Sequence, residues 1–221
     1  MVVHWYNYLE FLSFLLAAIF FSDLKKFKLG GYLPYLFLVC ITELTASNIE
    51  VFGLTNNHFV YDIFIVISSA ITINIYYHLI DYKGLAKKIY LILSVSVIVF
   101  MLIDMFLIEG FVVYDTYNNT INAFIAIIVA SLLLVKLFVD DSTNTRLTDN
   151  PYFWLCAGTI VFNLGDMLIL GLQQFILQKQ IKIGGVMMYN VIMPVFCGFL
   201  YGCFCYSFIL CRKQTTRLSL S

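Results

Sequence analysis

The chain has 221 residues, of which 62% are hydrophobic and 12% are charged, and its formal net charge is zero at pH 7. Its mean hydropathy is +0.91. This composition supplies too little polar surface to cover a water-soluble protein of this size, so it excludes a soluble globule. The lipid bilayer is therefore the expected surroundings of most of the chain.

Seven long apolar segments follow one another along the chain. About 20 apolar residues in a helix cross roughly 30 Å of hydrocarbon, and a helix satisfies its own backbone hydrogen bonds there. The spans lie approximately at residues 6–22, 31–47, 59–80, 85–108, 119–139, 151–175 and 186–211. The second is the shortest and contains Pro34 and Glu43. The sequence thus predicts an all-α, seven-transmembrane helix bundle that forms a single domain over residues 1–221.

The basic residues fall almost entirely on one side of these spans. If the amino terminus lies outside, the opposite connections and the C-terminal tail carry eleven bases: Lys25, Lys26, Lys28, Lys83, Lys87, Lys88, Lys136, Arg146, Arg212, Lys213 and Arg217. The outer side then holds Lys179 and Lys182 alone. Since basic residues favour the cytoplasmic side, this asymmetry predicts that the amino terminus is outside and the carboxyl terminus is inside.

The connections between the spans are short, at most about 15 residues, so they leave no room for a catalytic or nucleic-acid-binding domain. We therefore expect any output to pass through a membrane or cytoplasmic partner, or across the membrane. The first span lacks the basic region and the cleavage site of a signal peptide and is expected to remain as a helix.

An internal repeat is suggested by similar residues at corresponding span ends. Pro34 and Tyr35 open the second span as Pro151 and Tyr152 open the sixth. Spans one to three and five to seven would cross in the same directions, with the fourth as an inverting linker. The alternative is chance, because apolar segments rich in Tyr, Phe and Leu match one another easily.

This arrangement resembles the sugar transporters of the SWEET and PQ-loop type, although the proline and glutamine pair of the latter is absent. The chain more closely resembles small uncharacterised seven-span integral membrane proteins of Bacteroidota. The residues that carry this resemblance are Ile41, Thr42, Glu43 and Leu44; Asn57 with Tyr61, Asp62, Ile63 and Phe64; and Asn150, Pro151, Tyr152, Phe153 and Trp154. Thr42 departs from the pattern. The resemblance implies a multi-pass protein of the bacterial cytoplasmic (inner) membrane.

Acidic residues recur in the outer half of the predicted bundle. Glu10, Glu43, Asp62 and Asp104 lie on four different spans. A carboxylate near the bilayer centre costs a few kcal/mol, so acids within spans are expected to face the bundle interior. One interpretation is an acidic vestibule for a cation, an amine or protons. The other is that acids near span ends simply reach the wet headgroup region.

Asp166 falls close to the middle of the sixth span. Cys156, Thr159, Asn163 and Asp166 follow spacings of three, four and three, which place them on one helix face. That face should point inward, because a carboxyl and an amide at this depth need partners. The stripe predicts either a proton or ligand site or a set of hydrogen bonds that hold neighbouring helices together.

A second polar stripe consists of Asn74, His78 and Asp81, toward the inner end of the third span. His78 could accept a proton with Asp81 beside it, or it could be an interfacial residue bonded to its own helix. His4 and His58 lie at the opposite face, so no three-histidine zinc site can form with His78. The seventh span also lacks the lysine that retinal needs. We therefore expect neither a metal nor another cofactor.

The seventh span contains a proline and two glycines at helical spacing. Pro194 frees a backbone carbonyl and should kink the helix, so it is a candidate hinge. Gly198 and Gly202 form a small-xxx-small pair that could pack within the monomer or join two copies into an oligomer.

These signals leave three hypotheses of different classes. The first is a non-enzymatic sensor that binds a small ligand or cation in the outer half of the bundle and signals through a partner. The second is a small-solute or proton-coupled transporter that uses Asp166 and Pro194. The third, an intramembrane lipid enzyme, is the weakest, because Ser68 and Ser69 have no evident base at their level.

Overall fold

The computed structural model describes residues 5–53, 56–108, 116–139 and 146–220. The α-helices are α1 Trp5–Ile19, α2 Phe21–Lys26, α3 Tyr32–Ser47, α4 His58–Ile80, α5 Gly84–Ile103, α6 Thr116–Val139, α7 Pro151–Gln178 and α8 Met188–Leu220. Short 3-10 helices cover Ile49–Phe52 and Leu147–Asp149, and α5 continues as a π-helical turn, Asp104–Ile108. Two short strands, β1 Lys182–Ile183 and β2 Val186–Met187, form a hairpin. The predicted all-α architecture is confirmed.

Five of the described helices are long and apolar enough to cross a membrane: α4, α5 with its π-helical turn, α6, α7 and α8. The apolar helix α3 has 16 residues and α1 has 15. At 1.5 Å per residue these two are about 24 and 22 Å long, which is less than the roughly 30 Å of a bilayer core. The seven-span count, the repeat and the orientation therefore stay predictions.

The first predicted span, 6–22, is not one continuous helix. It breaks at Phe20, and α2 then ends in a Schellman motif in which Leu29 donates to the carbonyl of Leu24 (2.8 Å) and Lys28 donates to that of Lys25 (3.0 Å). Lys28 adopts the left-handed conformation, φ 57°, that this motif requires. Leu24 and Leu29 are fully buried, so the motif also anchors this connection to the core.

The seventh predicted span, 186–211, begins two residues before the helix does. Val186 and Met187 belong to the hairpin, because Gly184 (φ 60°) and Gly185 (φ 85°) form the two-residue turn that right-handed strand twist favours. The helix instead begins at Met188 and continues past the predicted end at Cys211.

Six helices form a closed ring. α1 packs on α3 and α8, α3 on α4, α4 on α6, α6 on α7 and α7 on α8. α5 packs on α4 outside this ring, and its residues are mostly exposed and apolar, as expected of a helix that faces lipid. We call the end of the ring that holds the β-hairpin and the first turn of α4 the hairpin end. The opposite end, which holds α2 and the first turns of α3 and α7, is the basic end.

The hydrophobic core fills the ring at its basic end. Its fully buried members include Ala17, Leu24, Leu36, Cys156 and Phe208. Polar contacts tie the same end together. Examples are the Tyr152 hydroxyl donating to the carbonyl of Phe27 (2.8 Å), the Ser207 hydroxyl donating to that of Pro151 (2.9 Å), and an ion pair between Arg212 and the buried Asp23 (3.1 Å). The ring is therefore solid at the basic end and hollow toward the hairpin end.

Gly158 marks a close approach between α7 and the backbone of α8. A Cβ added there would lie 2.8 Å from the Cβ of Cys203 and 3.4 Å from the carbonyl oxygen of Leu200. We expect Gly158→Ala to lower the free energy of unfolding by about 1–3 kcal/mol, because the two helices must move apart. SDS-induced unfolding in mixed micelles measures this.

Gly171→Ala is the matched control, since Gly171 lies on the same helix with nothing within 4 Å of its added Cβ. It should be neutral or stabilising, by up to about 1 kcal/mol of helix propensity. Equal effects of the two substitutions would contradict the close α7–α8 packing.

Candidate ligand-binding cavity

A cavity of about 800 Å³ lies inside the ring. Its walls come from α1, α3, α4, α6, α7 and α8, and its lining runs from His58 and Val186 at the hairpin end to Tyr32 and Phe204 deep in the bundle. This volume falls within the range of small-molecule sites. The position of the cavity follows from the core, because the large apolar side chains that fill the basic end are replaced here by Asn, Thr, Ser and Tyr.

Three carboxyl groups line the cavity: Glu10 of α1, Glu43 of α3 and Asp166 of α7. Glu10 and Glu43 are close enough to repel each other electrostatically. Cys197 of α8 lines the same cavity as these three acids. Three helices thus bring acids that are distant in sequence to one cavity.

Each of these acids has a polar neighbour in the ring. The Asn7 amide donates to Glu10 (2.9 Å), the Asn119 amide donates to Asp166 (2.9 Å), and the Tyr61 hydroxyl makes a long contact of 3.4 Å with Glu43. These contacts orient the carboxyl groups but use only part of their capacity, since an ionised carboxylate accepts about four hydrogen bonds.

The described lining residues include no lysine and no arginine. The histidine of the lining is His58, at the hairpin end. Aromatic walls accompany the acids: Tyr6, Tyr35, Tyr61, Phe162 and Tyr201 all line the cavity. Carboxylates and the faces of aromatic rings both attract cations. The cavity is therefore electrostatically suited to a positively charged guest.

The predicted stripe on α7 is inward-facing, as expected. Thr159, Asn163 and Asp166 line the cavity, and Cys156 is fully buried beneath them. The Asn163 amide donates to the backbone carbonyl of Thr159 (2.7 Å), which holds the side chain against its own helix.

Asp62 and Asp104 are buried, 0% and 1% exposed, but they do not line the cavity. They lie where α4, the π-helical turn and α6 come together; nearby, the Asn118 amide donates to the carbonyl of Met101 (3.0 Å). The five acids proposed from sequence therefore divide into three that share the cavity and two that do not.

The polar stripe near the C-terminal end of α4 faces away from the cavity. Asn74, His78 and Asp81 are all exposed, and none lines the cavity. His78 packs edge-on against Tyr77, with ring centroids 5.2 Å apart, and Asp81 ends the helix in the left-handed conformation. These residues lie on an exposed face at the C-terminal end of α4.

The features of the last helix have separate roles. Pro194 lines the cavity. Gly198 packs within the chain, because a Cβ there would lie 2.6 Å from the ring of Trp5. Gly202 has open space around it. A contact between two copies through both glycines would therefore have to displace Trp5, and the oligomer stays a prediction.

Several lining residues were not singled out from the sequence. Asn119, Asn122 and Ala126 on α6 line the cavity, and their spacing of three and four marks one face of small and polar residues. Of the two serines considered as nucleophiles from the sequence, Ser68 lines the cavity and donates to the carbonyl of Ile65 (3.0 Å), whereas Ser69 donates to the side-chain oxygen of Asn122 (2.6 Å). Asn122 thereby ties α6 to α4 through the cavity wall.

No family model matches this chain, and comparisons with curated proteins and with solved structures find no significant match. Groups of three or more metal-ligating side chains are absent from the described residues. Composition, helices and cavity support a multi-pass α-helical membrane protein with an internal acidic cavity. The resemblance to Bacteroidota proteins and the inner-membrane location stay predictions.

Proposed function

We propose that this protein is a membrane sensor that binds a small organic cation in the cavity and acts through a partner. The observation that carries the proposal is the placement of Glu10, Glu43 and Asp166 around one cavity without a basic residue in the described lining. A cationic ligand would restore the charge balance that burial of these acids disturbs. The aromatic walls would add cation–π attraction.

The closed floor of the cavity supports sensing. Tyr32 packs edge to face against both Phe204 and Phe208, with centroid distances of 5.2 Å and 6.0 Å. This aromatic floor separates the cavity from the basic end. It also connects the cavity through α8 to the Arg212–Asp23 ion pair. A ligand that moves the floor would therefore alter the basic end, where a cytoplasmic partner is proposed to bind.

The proposal is tested by ligand binding to the purified protein in lipid nanodiscs. Primary amines and quaternary ammonium compounds are compared by calorimetry with neutral alcohols of the same carbon skeleton. We expect the cations to bind and the alcohols to bind at least about tenfold more weakly, which corresponds to 1.4 kcal/mol. Glu43→Gln and Asp166→Asn should each weaken cation binding by a similar or larger factor, because each removes one desolvated charge.

Glu50→Gln is the matched control. It removes the same charge from an exposed residue outside the cavity, so it should leave cation binding unchanged. Equal binding of amines and alcohols by the unmodified protein would contradict the proposal, as would equal effects of the three substitutions.

A carrier for the same cations is the second candidate. The ring consists of α1–α3–α4 and α6–α7–α8 joined at two junctions, with α5 outside. Transporters built from parallel repeats place their substrate between two such halves, and Pro194 on the cavity wall would serve as the hinge. Flux of a radiolabelled amine into proteoliposomes, lost in Asp166→Asn, would favour the carrier; binding without flux would favour the sensor.

A further inference from the structure

The three carboxyl groups of the cavity fall into two separate groups. Glu10 on α1 and Glu43 on α3 form a pair whose charges repel each other. The Asn7 amide, which donates to Glu10 (2.9 Å), is also within hydrogen-bonding reach of Glu43. Asp166 on α7 instead accepts from Asn119 on α6 (2.9 Å). The cavity therefore holds a carboxyl pair and a single carboxyl group, each with its own asparagine.

The order of the helices places these two groups on opposite walls. The ring runs α1, α3, α4, α6, α7 and α8, and α8 closes it onto α1. In this order α3 and α7 are opposite members, with α4 and α6 between them on one side and α8 and α1 on the other. The axes of packed helices lie about 8–10 Å apart, so opposite axes in a six-membered ring are about 16–20 Å apart. Glu43 and Asp166 therefore reach the cavity from opposite sides.

One small cation cannot contact all three carboxyl groups. The described residues contain no three metal-ligating side chains that could hold one metal ion, and Glu10, Glu43 and Asp166 are all among those residues. An ammonium group bonds a carboxylate at about 2.7–2.9 Å, little more than the distance of about 2.3–2.6 Å to a bound calcium ion. A single ammonium group is thus limited in the same way, and it binds either the pair or Asp166.

A ligand with one positive charge therefore leaves one of the two groups without a cation. Glu10 is 4% exposed, and the described lining supplies no lysine or arginine to either group. A buried charge without its partner is strongly destabilising. Apolar side chains that suit methylene groups line the same cavity, among them Val39, Ala126, Met193 and Leu200. The lining thus suits a ligand with two charges joined by a hydrocarbon chain.

We propose that the ligand is a linear diamine whose two ammonium groups bind on opposite walls of the cavity. One binds at Glu10 and Glu43, and the other binds at Asp166. Asn7 and Asn119 are positioning residues, because they orient the carboxyl groups. This inference rests on the proposed binding of organic cations and adds that the ligand carries two charges. The cavity thereby selects among amines by the number and the spacing of their charges.

The test compares straight-chain terminal diamines with n-alkylamines of the same carbon number, titrated by calorimetry into the protein in lipid nanodiscs. The diamine of the best length should bind at least about tenfold more tightly than its matched monoamine, because it forms a second buried charge pair. The ratio of the two affinities should peak at one chain length, since both ammonium groups must reach carboxyl groups at fixed positions. A general attraction of dications to an acidic cavity would give no peak.

Asp166→Asn removes the partner of the second ammonium group and should lower the ratio to about one at every chain length, because one charge pair then remains for both ligands. Asp149→Asn is the matched control. It makes the same chemical change at an exposed residue outside the cavity lining, so it should keep both the ratio and its peak. SDS-induced unfolding shows whether each variant is folded, and Asp166→Ala replaces Asp166→Asn if the latter is not.

The outcomes separate this inference from the proposed function. A ratio near one for every diamine in the unmodified protein overturns the inference, while binding of the monoamines still supports a cation site. A peak that persists in the folded Asp166 variant overturns it as well, because the second ammonium group would then have another partner. Absence of binding for every amine in the unmodified protein overturns the proposed function too.

Discussion

Replacing Phe208 with alanine is expected to lower the free energy of unfolding by about 3–5 kcal/mol. Phe208 is 0% exposed and packs against Tyr32 and Phe204 in the floor of the cavity. Its removal leaves a void among Leu24, Leu36 and the other core residues, which cannot close completely. SDS-induced unfolding in mixed micelles measures the loss.

Phe199→Ala is the matched control. Phe199 lies on the same helix and is 43% exposed, so the same substitution removes much less buried area. Its effect should be less than half that of Phe208→Ala. A similar loss from both substitutions would show that the basic-end core does not dominate the stability of the ring.

The same substitution also distinguishes the two candidate functions. If the aromatic floor closes the cavity, Phe208→Ala should allow small cations to leak through proteoliposomes that contain folded protein, whereas Phe199→Ala should not. A carrier would already show flux in the unmodified protein. Absence of leak in the folded variant would mean that Tyr32 and Phe204 seal the cavity by themselves.

Replacing Arg212 with glutamine should lower the free energy of unfolding by about 1.5–3 kcal/mol, the range for hydrogen bonds to charged groups. Arg212 donates to Asp23, whose side chain is 4% exposed, at 3.1 Å. The substitution leaves that carboxylate buried, with Lys26 at 3.9 Å as the remaining basic partner in the described chain. Because the arginine itself is 55% exposed, solvent replaces part of the loss, which keeps the effect below that of a fully buried pair.

Lys213→Gln provides the comparison, because Lys213 is the exposed neighbour of Arg212 and carries the same charge. It should change the stability by less than about 0.5 kcal/mol. If sensing passes through α8, Arg212→Gln should also change the affinity for the amine, because coupling between two sites acts in both directions. Equal effects of the two substitutions would contradict both the ion pair and this coupling.

The sequence predicted the parts of the cavity that depend on one helix alone. Thr159, Asn163 and Asp166 were placed inward because their spacing defines a face and their depth requires burial. The same kind of spacing places Asn74, His78 and Asp81 on one face of α4, and the structure puts that face outside the cavity. A spacing shows which residues share a face, but the neighbouring helices decide whether that face points inward, and here α4 turns it away from the ring.

The sequence also could not predict which of the acids line the cavity and which do not. Asp62 and Asp104 have the same chemistry as Glu10 and Glu43, and all four fall at comparable positions in their spans. The two groups are separated because α5 lies outside the ring and not within it. The position of α5 depends on packing between helices, and the hydropathy of the sequence carries no information about that packing. Asn119 was missed for the same reason, since isolated Asn residues are common at helix ends.

The position of α1 has a consequence for how the protein is made. α1 is short and carries Glu10, so it is a poor membrane segment on its own. Trp5 and Leu9 pack at Gly198, on a helix that emerges from the ribosome after α2 to α7. The first helix of the ring to be translated, α1, therefore packs against the last, α8. The ring can therefore close only when α8 has been made and packs beside α1.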